Sequence, residues 1–173
     1  MDIVVDLANL KQTIKELEQY RDAVNSGIEK VVAEVTERGA EMASQNYKSA
    51  QYDGTNDVYV SSSTWRKSKN RVMGEIEASG KSVLFIEFGT GITYGTAHPE
   101  ANEHGYYPGS YGPNGLKPTW AYYGEGGTNG LYRKTTSKGD LYTTHGNPAN
   151  RCLYDAGKTM EAQASKIVRE VFK

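Results

Sequence analysis

The amino-acid sequence predicts an α+β fold in which helices pack on one face of a mainly antiparallel sheet. Apolar residues near both ends recur at the three- and four-residue steps of a helix, whereas those of residues 58–88 alternate or run together, as in strands. The 173 residues suit a single domain. It divides into an N-terminal helix (residues 1–25), a helix and β-meander (26–90), a Gly/Tyr-rich loop insertion (91–146) and a C-terminal helix (147–173).

The first fifty residues carry one apolar stripe with helical spacing. Its members are Leu7, Leu10, Ile14, Leu17, Val24, Ile28, Val31, Val35 and Met42. Asn25-Ser26-Gly27 offers a break, and Ser26 with Glu29 matches a capping box at a helix start. The pattern therefore predicts two helices, about 6–21 and 26–50. The stripe of the first helix fits either a face turned to the core or a coiled-coil contact between subunits.

Residues 58–88 are expected to form three strands of a meander. Residues 58–61 and 71–78 alternate in polarity, as half-buried strands do. Residues 83–88 are apolar until Glu87, so they are expected to form the most buried strand. Residues 79–82 then provide a hairpin turn between the second and third strands.

The periodic pattern stops in residues 91–142, which hold 11 Gly, 8 Tyr and 4 Pro. A segment of this size without its own secondary structure is usually functional or ordered by a partner. Its aromatic content argues against simple disorder, and a hairpin is expected around residues 130–142. The chain then returns to helical spacing, with Asn147 as the N-cap and Pro148 at the first helical position.

Composition excludes several classes of function. The 20 basic and 21 acidic residues leave no basic excess for binding duplex DNA. The single cysteine, Cys152, excludes an internal disulfide, and no apolar run approaches the length of a membrane span. The N-terminus lacks the basic start of a signal peptide, so we expect a protein made in a cytoplasm and no association with a membrane.

Residues that could carry chemistry are few, and each has a structural reading that we favour. His98 and His104 with Glu100 and Glu103 match no known metal-ligand spacing, which favours solvated loop residues. Cys152 suits packing next to Leu153 more than a nucleophile. The Gly-rich residues 124–127 lack the flanking strand and helix of a phosphate-binding loop. We therefore predict no catalytic residue, no metal site and no cofactor.

Glu87 could act as a base if it is buried alone. We favour a structural role, in which it accepts N–H groups of the turn at residues 89–91 or pairs with an arginine. At this point the motif Glu87-Phe88-Gly89-Thr90-Gly91 resembles the small neck and tail-component proteins of long-tailed bacteriophages. A second motif of that family, the Pro-containing start of a closing helix, is matched by Asn147-Pro148-Ala149 and the residues around them. The resemblance covers residues 26–172, and the Gly/Tyr-rich insertion departs from it.

The resemblance implies a non-enzymatic virion protein of the phage neck, a tail terminator or tail-completion protein. Such a protein forms a homo-oligomeric ring, here expected to be a hexamer, between the head-completion (stopper) protein and the tail tube protein. Genomic DNA passes through its lumen without sequence-specific binding. Another minor capsid or tail structural protein, or a tail-associated hydrolase, remain as alternatives. Because tyrosine and tryptophan anchor interfaces well, the insertion supplies the candidate subunit contacts. These are Tyr94, Tyr106, Tyr107, Tyr111, Trp120, Tyr122, Tyr123 and Tyr132.

Overall fold

A computed structural model describes residues 7–95, 98–106, 109 and 114–173 of the chain. Its elements, in chain order, are α1 (Leu7–Ser49), β1 (Tyr59–Ser68), β2 (Arg71–Ser79), α2 (Val83–Phe88), β3 (Trp120–Tyr123), β4 (Leu131–Thr136), β5 (Gly139–Thr144) and α3 (Cys152–Val171). Helices at both ends and antiparallel strands between them confirm the predicted α+β class. None of the helices in the described part of the chain is long and apolar enough to cross a membrane.

The two predicted N-terminal helices are one continuous helix, so the expected break at residues 25–27 is wrong. At 1.5 Å per residue, α1 is about 65 Å long. Gly27 is buried, and a β-carbon at this position would run into the ring of Phe172. Glycine at this position therefore allows the end of α3 to approach closely, and it does not interrupt α1.

The C-terminal half of α1 lies between the β1–β2 hairpin and α3. Gly39 is the point where the three meet, because a β-carbon there would lie 2.6 Å from Ile76 of β2 and 3.1 Å from Met160 of α3. The helices α1 and α3 run antiparallel: Asn46 donates to the carbonyl of Cys152 at 3.1 Å, and Arg38 pairs with Glu170 at 3.4 Å. Gly74 and Ile76 of β2 and Met160 of α3 lie on the sides that face α1.

The predicted meander has two strands, not three. β1 and β2 form an antiparallel hairpin, and residues 83–88 form the short helix α2. A helix places Ile86 and Glu87 together on its buried side, while Leu84 stays exposed; a strand would turn Ile86 and Glu87 to opposite faces. The predicted hairpin turn at 79–82 is instead the connection to α2. The carboxylate of Asp57 accepts the hydroxyl and N–H of Ser82 and the N–H of Lys81, which lowers the pKa of Asp57 to about 2.

The insertion contains a second sheet, in the order β3-β5-β4, with all neighbours antiparallel. Strands β4 and β5 form the hairpin predicted around residues 130–142. β3 adds a strand that the sequence pattern did not predict. The register places Tyr122 opposite Tyr142, and Tyr142 opposite Tyr132, so three tyrosines lie in a row across one face.

The C-terminal helix begins at Cys152, five residues after the predicted N-cap. Asn147 does not cap it, because its side chain bonds to Thr90 and to the backbone of Asp53. Arg151 precedes the helix in a left-handed conformation, with φ of 54°, and offers no side-chain cap. The centre of the core lies at this helix start, where the buried residues Tyr47, Ile86 and Cys152 pack together.

Candidate functional site: the joint between the two motifs and the tyrosine sheet

Glu87 connects four parts of the chain from a buried position with 4% of its surface exposed. One carboxylate oxygen accepts the hydroxyl of Tyr47 and the N–H of Leu153, each at 3.0 Å. The other accepts the N–H of Tyr154 at 3.1 Å and lies 3.3 Å from Nε2 of His98. The carboxylate therefore caps α3 from a distant part of the sequence, where a negative charge also suits the helix dipole. The predicted structural role fits this geometry, but the donors differ from the expected turn and arginine.

Burial acts on the groups around this carboxylate. It raises the pKa of Tyr47, and the nearby Glu87 charge adds to the effect. It also raises the pKa of the Cys152 thiol to about 12, again with a contribution from Glu87. Cys152 is fully buried at the start of α3, which matches the packing role that we favoured for it.

Phe88 holds the first part of the insertion against the core. Its ring lies 4.4 Å from the ring of His98 and 4.5 Å from that of Tyr106, measured between centroids. His104 lies at 5.9 Å in an edge-on arrangement. Residues 98–106 are thus attached through the second residue of the Glu87–Gly91 motif, next to the contact of His98 with Glu87.

Thr90 and Asn147 join the two sequence motifs directly, although they lie 57 residues apart. Their backbones exchange two hydrogen bonds, of 2.9 and 3.2 Å, as an isolated antiparallel bridge. The hydroxyl of Thr90 also accepts the backbone and side-chain N–H groups of Asn147, both at 3.0 Å. Gly89 has φ of +77°, and a β-carbon on it would press against the backbone of residues 147–149. Glycine is required here because two backbones approach closely.

Asn150 also takes part in this contact between the two motifs, which we call the joint (residues 87–91 and 147–150). Its side-chain amide donates to the carbonyls of Gln51, Ile86 and Pro148, and its oxygen accepts the N–H of Gln51 at 2.9 Å. The end of α1, the end of α2 and the approach to α3 are thereby held by one side chain. Ala149 lies at the close approach to Gly89, so all three residues of the second motif take part.

Asp53 extends the network from the joint to the second sheet. Its N–H donates to the side-chain oxygen of Asn147 at 2.7 Å. Its carboxylate accepts the N–H of Asn129 at 2.7 Å and the hydroxyl of Thr144 at 2.6 Å. The loop after α1, the second motif and the sheet of the insertion are therefore one hydrogen-bonded unit. The sequence offered only the turn-like Asp53-Gly54 as a signal for this residue.

An aromatic cleft of about 460 Å³ opens between this unit and the second sheet. Tyr52, Phe85, Trp120 and Tyr122 line it, together with Asp53 and Gly91. Across the same face, the Tyr122 and Tyr142 rings stack at 6.0 Å, and the Tyr132 and Tyr142 rings meet edge-on at 5.7 Å. Burial, with the nearby Asp53 charge, raises the pKa of Tyr122 to about 12.

The predicted interface residues fall into three groups. Tyr94, Tyr123 and Tyr132 are exposed. Trp120 and Tyr122 are half-buried and line the cleft, while half-buried Tyr106 packs against Phe88 with its ring tilted. Tyr107 and Tyr111 lie outside the described residues. Tyr142, in the centre of the tyrosine row, was missed because the sequence does not reveal which strands are neighbours.

The histidine cluster considered for a metal does not assemble. His98 turns inward to Glu87, whereas His104 is exposed and lies 3.9 Å from Glu100. Among the described residues, no three His, Cys, Asp or Glu side chains come together as metal ligands would.

The chain matches no protein-family model, no curated protein and no solved structure. The joint fixes the relative positions of three helices and a sheet. Tyr94, Tyr123 and Tyr132 remain exposed. Such an arrangement suits a scaffold that presents a surface.

Proposed function

We propose that this chain is a structural virion protein of a long-tailed bacteriophage, a ring subunit of the neck that acts as a tail terminator or tail-completion protein. The observation that carries the proposal is the contact between Thr90 and Asn147. The resemblance rests on two motifs that are far apart in the sequence, and these motifs form one joint. A shared position in the fold is what we expect of two motifs that belong to one family scaffold.

The surface of the second sheet supports the same proposal. Exposed Leu131 and Tyr132 lie on β4, an edge strand of the sheet. Aromatic residues are enriched where proteins meet, and an edge strand offers unpaired backbone groups to a neighbour. A head-to-tail contact that uses such a surface closes into a ring when the rotation between subunits closes. The proposed neighbours along the axis are the head-completion protein on one side and the tail tube protein on the other, with DNA in the lumen.

The test is electron microscopy of the full-length purified protein over a series of concentrations, together with mass photometry. We expect rings with a central hole and, by subunit counting, six copies. A second arm adds purified tail tubes and looks for a cap at one end only. If the protein neither forms rings nor caps tubes, the neck assignment is rejected.

A further inference from the structure

The hairpin of β1 and β2 ends in a basic turn, which we call the tip (residues 66–71). Its sequence, Arg-Lys-Ser-Lys-Asn-Arg, holds four positive charges and no negative one, although the whole chain carries one more acidic than basic residue. All six residues are exposed. The longer segment 58–74 around the tip also contains no acidic residue. A local positive charge of this density on a nearly neutral chain favours an anionic partner.

Arg66 holds the tip in place. Its guanidinium contacts one carboxylate oxygen of Glu29 on α1, through Nε at 2.8 Å and Nη2 at 2.6 Å. Its Nη1 donates to the carbonyl of Lys69 at 2.8 Å, across the turn. The turn is therefore tied both to itself and to the long helix, and the charge of Glu29 is balanced. A tip that is held in this way loses little conformational freedom when it binds a partner.

Three cations of the tip remain available to a partner. Lys67, Lys69 and Arg71 form no ion pair with any residue that the structure describes. The register of the hairpin shifts between Arg66 and Ser68, so Lys67 is the extra residue of a bulge and bonds to no residue across the ladder. The three charges lie within five residues, and their long side chains can therefore reach one extended anion together.

The residue types of the tip are those that contact the phosphates of nucleic acids. Lysine and arginine supply charge, and the hydroxyl of Ser68 and the amide of Asn70 add donors for phosphate oxygens. The tip has no apolar side chain to insert into a lipid bilayer, as membrane-binding segments have. Genomic DNA is also the anion that the proposed ring surrounds. Duplex DNA therefore fits the tip better than a membrane surface does.

We propose that the tip binds the phosphate backbone of duplex DNA, without sequence specificity, through Lys67, Lys69 and Arg71. The contact of a single chain is weak, because only three cations take part and the charge of the whole chain is balanced. Several copies on one duplex strengthen it through multivalency. As a contact with DNA inside a ring the inference rests on the proposed function, but binding by single chains does not require a ring.

The experiment measures the binding of three full-length proteins to a short, fluorescently labelled DNA duplex by fluorescence anisotropy, from about 50 to about 200 mM salt. Lys67→Gln with Lys69→Gln removes two charges from the tip. Lys134→Gln with Lys138→Gln removes two charges from the hairpin of β4 and β5, as the matched control. All four lysines are exposed, so each variant is expected to fold, and circular dichroism checks this.

Each phosphate contact contributes about −0.9 to the slope of log affinity against log salt concentration. We expect a slope of about −3 for the wild type and the control, and of about −1 for the tip variant. At the lowest salt concentration the tip variant should bind at least about tenfold more weakly than the control.

Three results overturn the inference. They are a wild type that does not bind the duplex or whose slope is flatter than about −2, a tip variant that binds like the control, and tighter binding of the wild type to phosphatidylserine vesicles than to DNA. The wild-type slope and the vesicle comparison need no variant. Electron microscopy of the same preparations separates the two proposals. Rings without tip-dependent DNA binding reject the tip contact and keep the ring, whereas tip-dependent binding without rings does the reverse.

Discussion

Glu87 is the residue on which most elements depend. It meets α1 through Tyr47, the first turn of α3 through two N–H groups, and the insertion through His98. A buried carboxylate is costly unless its oxygens are well bonded, and here both are. The carboxylate is stabilised by its four neighbours, and it in turn holds them in place. A substitution of Glu87 therefore tests the whole joint.

Glu87→Gln is expected to destabilise the protein by about 2–4 kcal/mol. Glutamine keeps the shape, but its amide group turns a donor toward N–H and O–H groups that are themselves donors. Urea unfolding followed by circular dichroism measures the loss. The matched control is Glu77→Gln, at an exposed position of β2, which should change the free energy of unfolding by less than about 0.5 kcal/mol. Equal stability of the two variants would show that the carboxylate is dispensable.

Cys152 gives a second test at the same place. Its thiol is fully buried and its pKa is raised to about 12, so the reactive thiolate is scarce at neutral pH. A group with a raised pKa stabilises the fold below its ordinary value of 9.0 and loses this contribution as the pH rises toward about 12. We expect negligible labelling by iodoacetamide at about pH 8 in the native protein and complete labelling in urea. Rapid labelling of the native thiol would contradict the described packing.

At the scale of elements, α2 shows where sequence patterns fail. A short apolar run such as residues 83–88 is compatible with a strand or a helix, and periodicity alone does not separate them. Tertiary contacts decide: Ile86 enters the core with Tyr47, and Glu87 must reach the start of α3 from the same side. The residues that contact this six-residue segment lie elsewhere in the chain. The sequence of the segment alone therefore does not determine whether it forms a helix or a strand.

In the long helix α1, by contrast, the sequence pattern indicated the correct type of element but a wrong boundary. Its apolar spacing predicted helix for residues 6–21 and 26–50, but Asn25-Ser26-Gly27 was wrongly interpreted as a break because the packing partner of Gly27, Phe172, is 145 residues away. The sequence left open whether the apolar stripe of the first predicted helix faces the core or another subunit. From Val24 onward α1 enters the body of the protein, whereas the stripe residues at 7–17 are exposed, so the core-facing interpretation is wrong for them.

We expect the two halves of α1 to differ in stability. An isolated helix as short as residues 7–23 is marginal in water, whereas residues 30–49 are held by the hairpin and α3. Hydrogen exchange of a dilute, verified monomer should show fast exchange in peptides from residues 8–22 and slow exchange in those from 30–48. Equal protection of both halves in the monomer would refute the difference.

At the scale of the whole molecule, the sequence predicted the fold class, the order of the outer helices and the hairpin of the insertion. It did not predict the joint. Thr90 and Asn147 were singled out through a resemblance, and only the structure shows that they touch. The roles of Asp53, Asn150 and Tyr142 were missed for the same physical reason: each bonds or stacks with residues distant in the sequence, on elements whose neighbours a linear pattern does not specify.

The outer face of the second sheet provides the last prediction, on the proposed ring. Tyr132 is 55% exposed on edge strand β4, and its ring rests on the edge of Tyr142. Because exposed aromatic residues at the centre of a contact carry much of its energy, Tyr132→Ser should weaken ring formation about tenfold.

Lys134→Ser, on the same exposed strand, is the control and should form rings like the wild type. Mass photometry gives the fraction of rings, and thermal unfolding of each monomer confirms that the sheet is intact. Rings of normal abundance in the Tyr132 variant would place the subunit interface on a face of the protein other than the tyrosine row. Loss of rings in both variants would instead show that the contact needs side chains along the whole of β4 and is not centred on Tyr132.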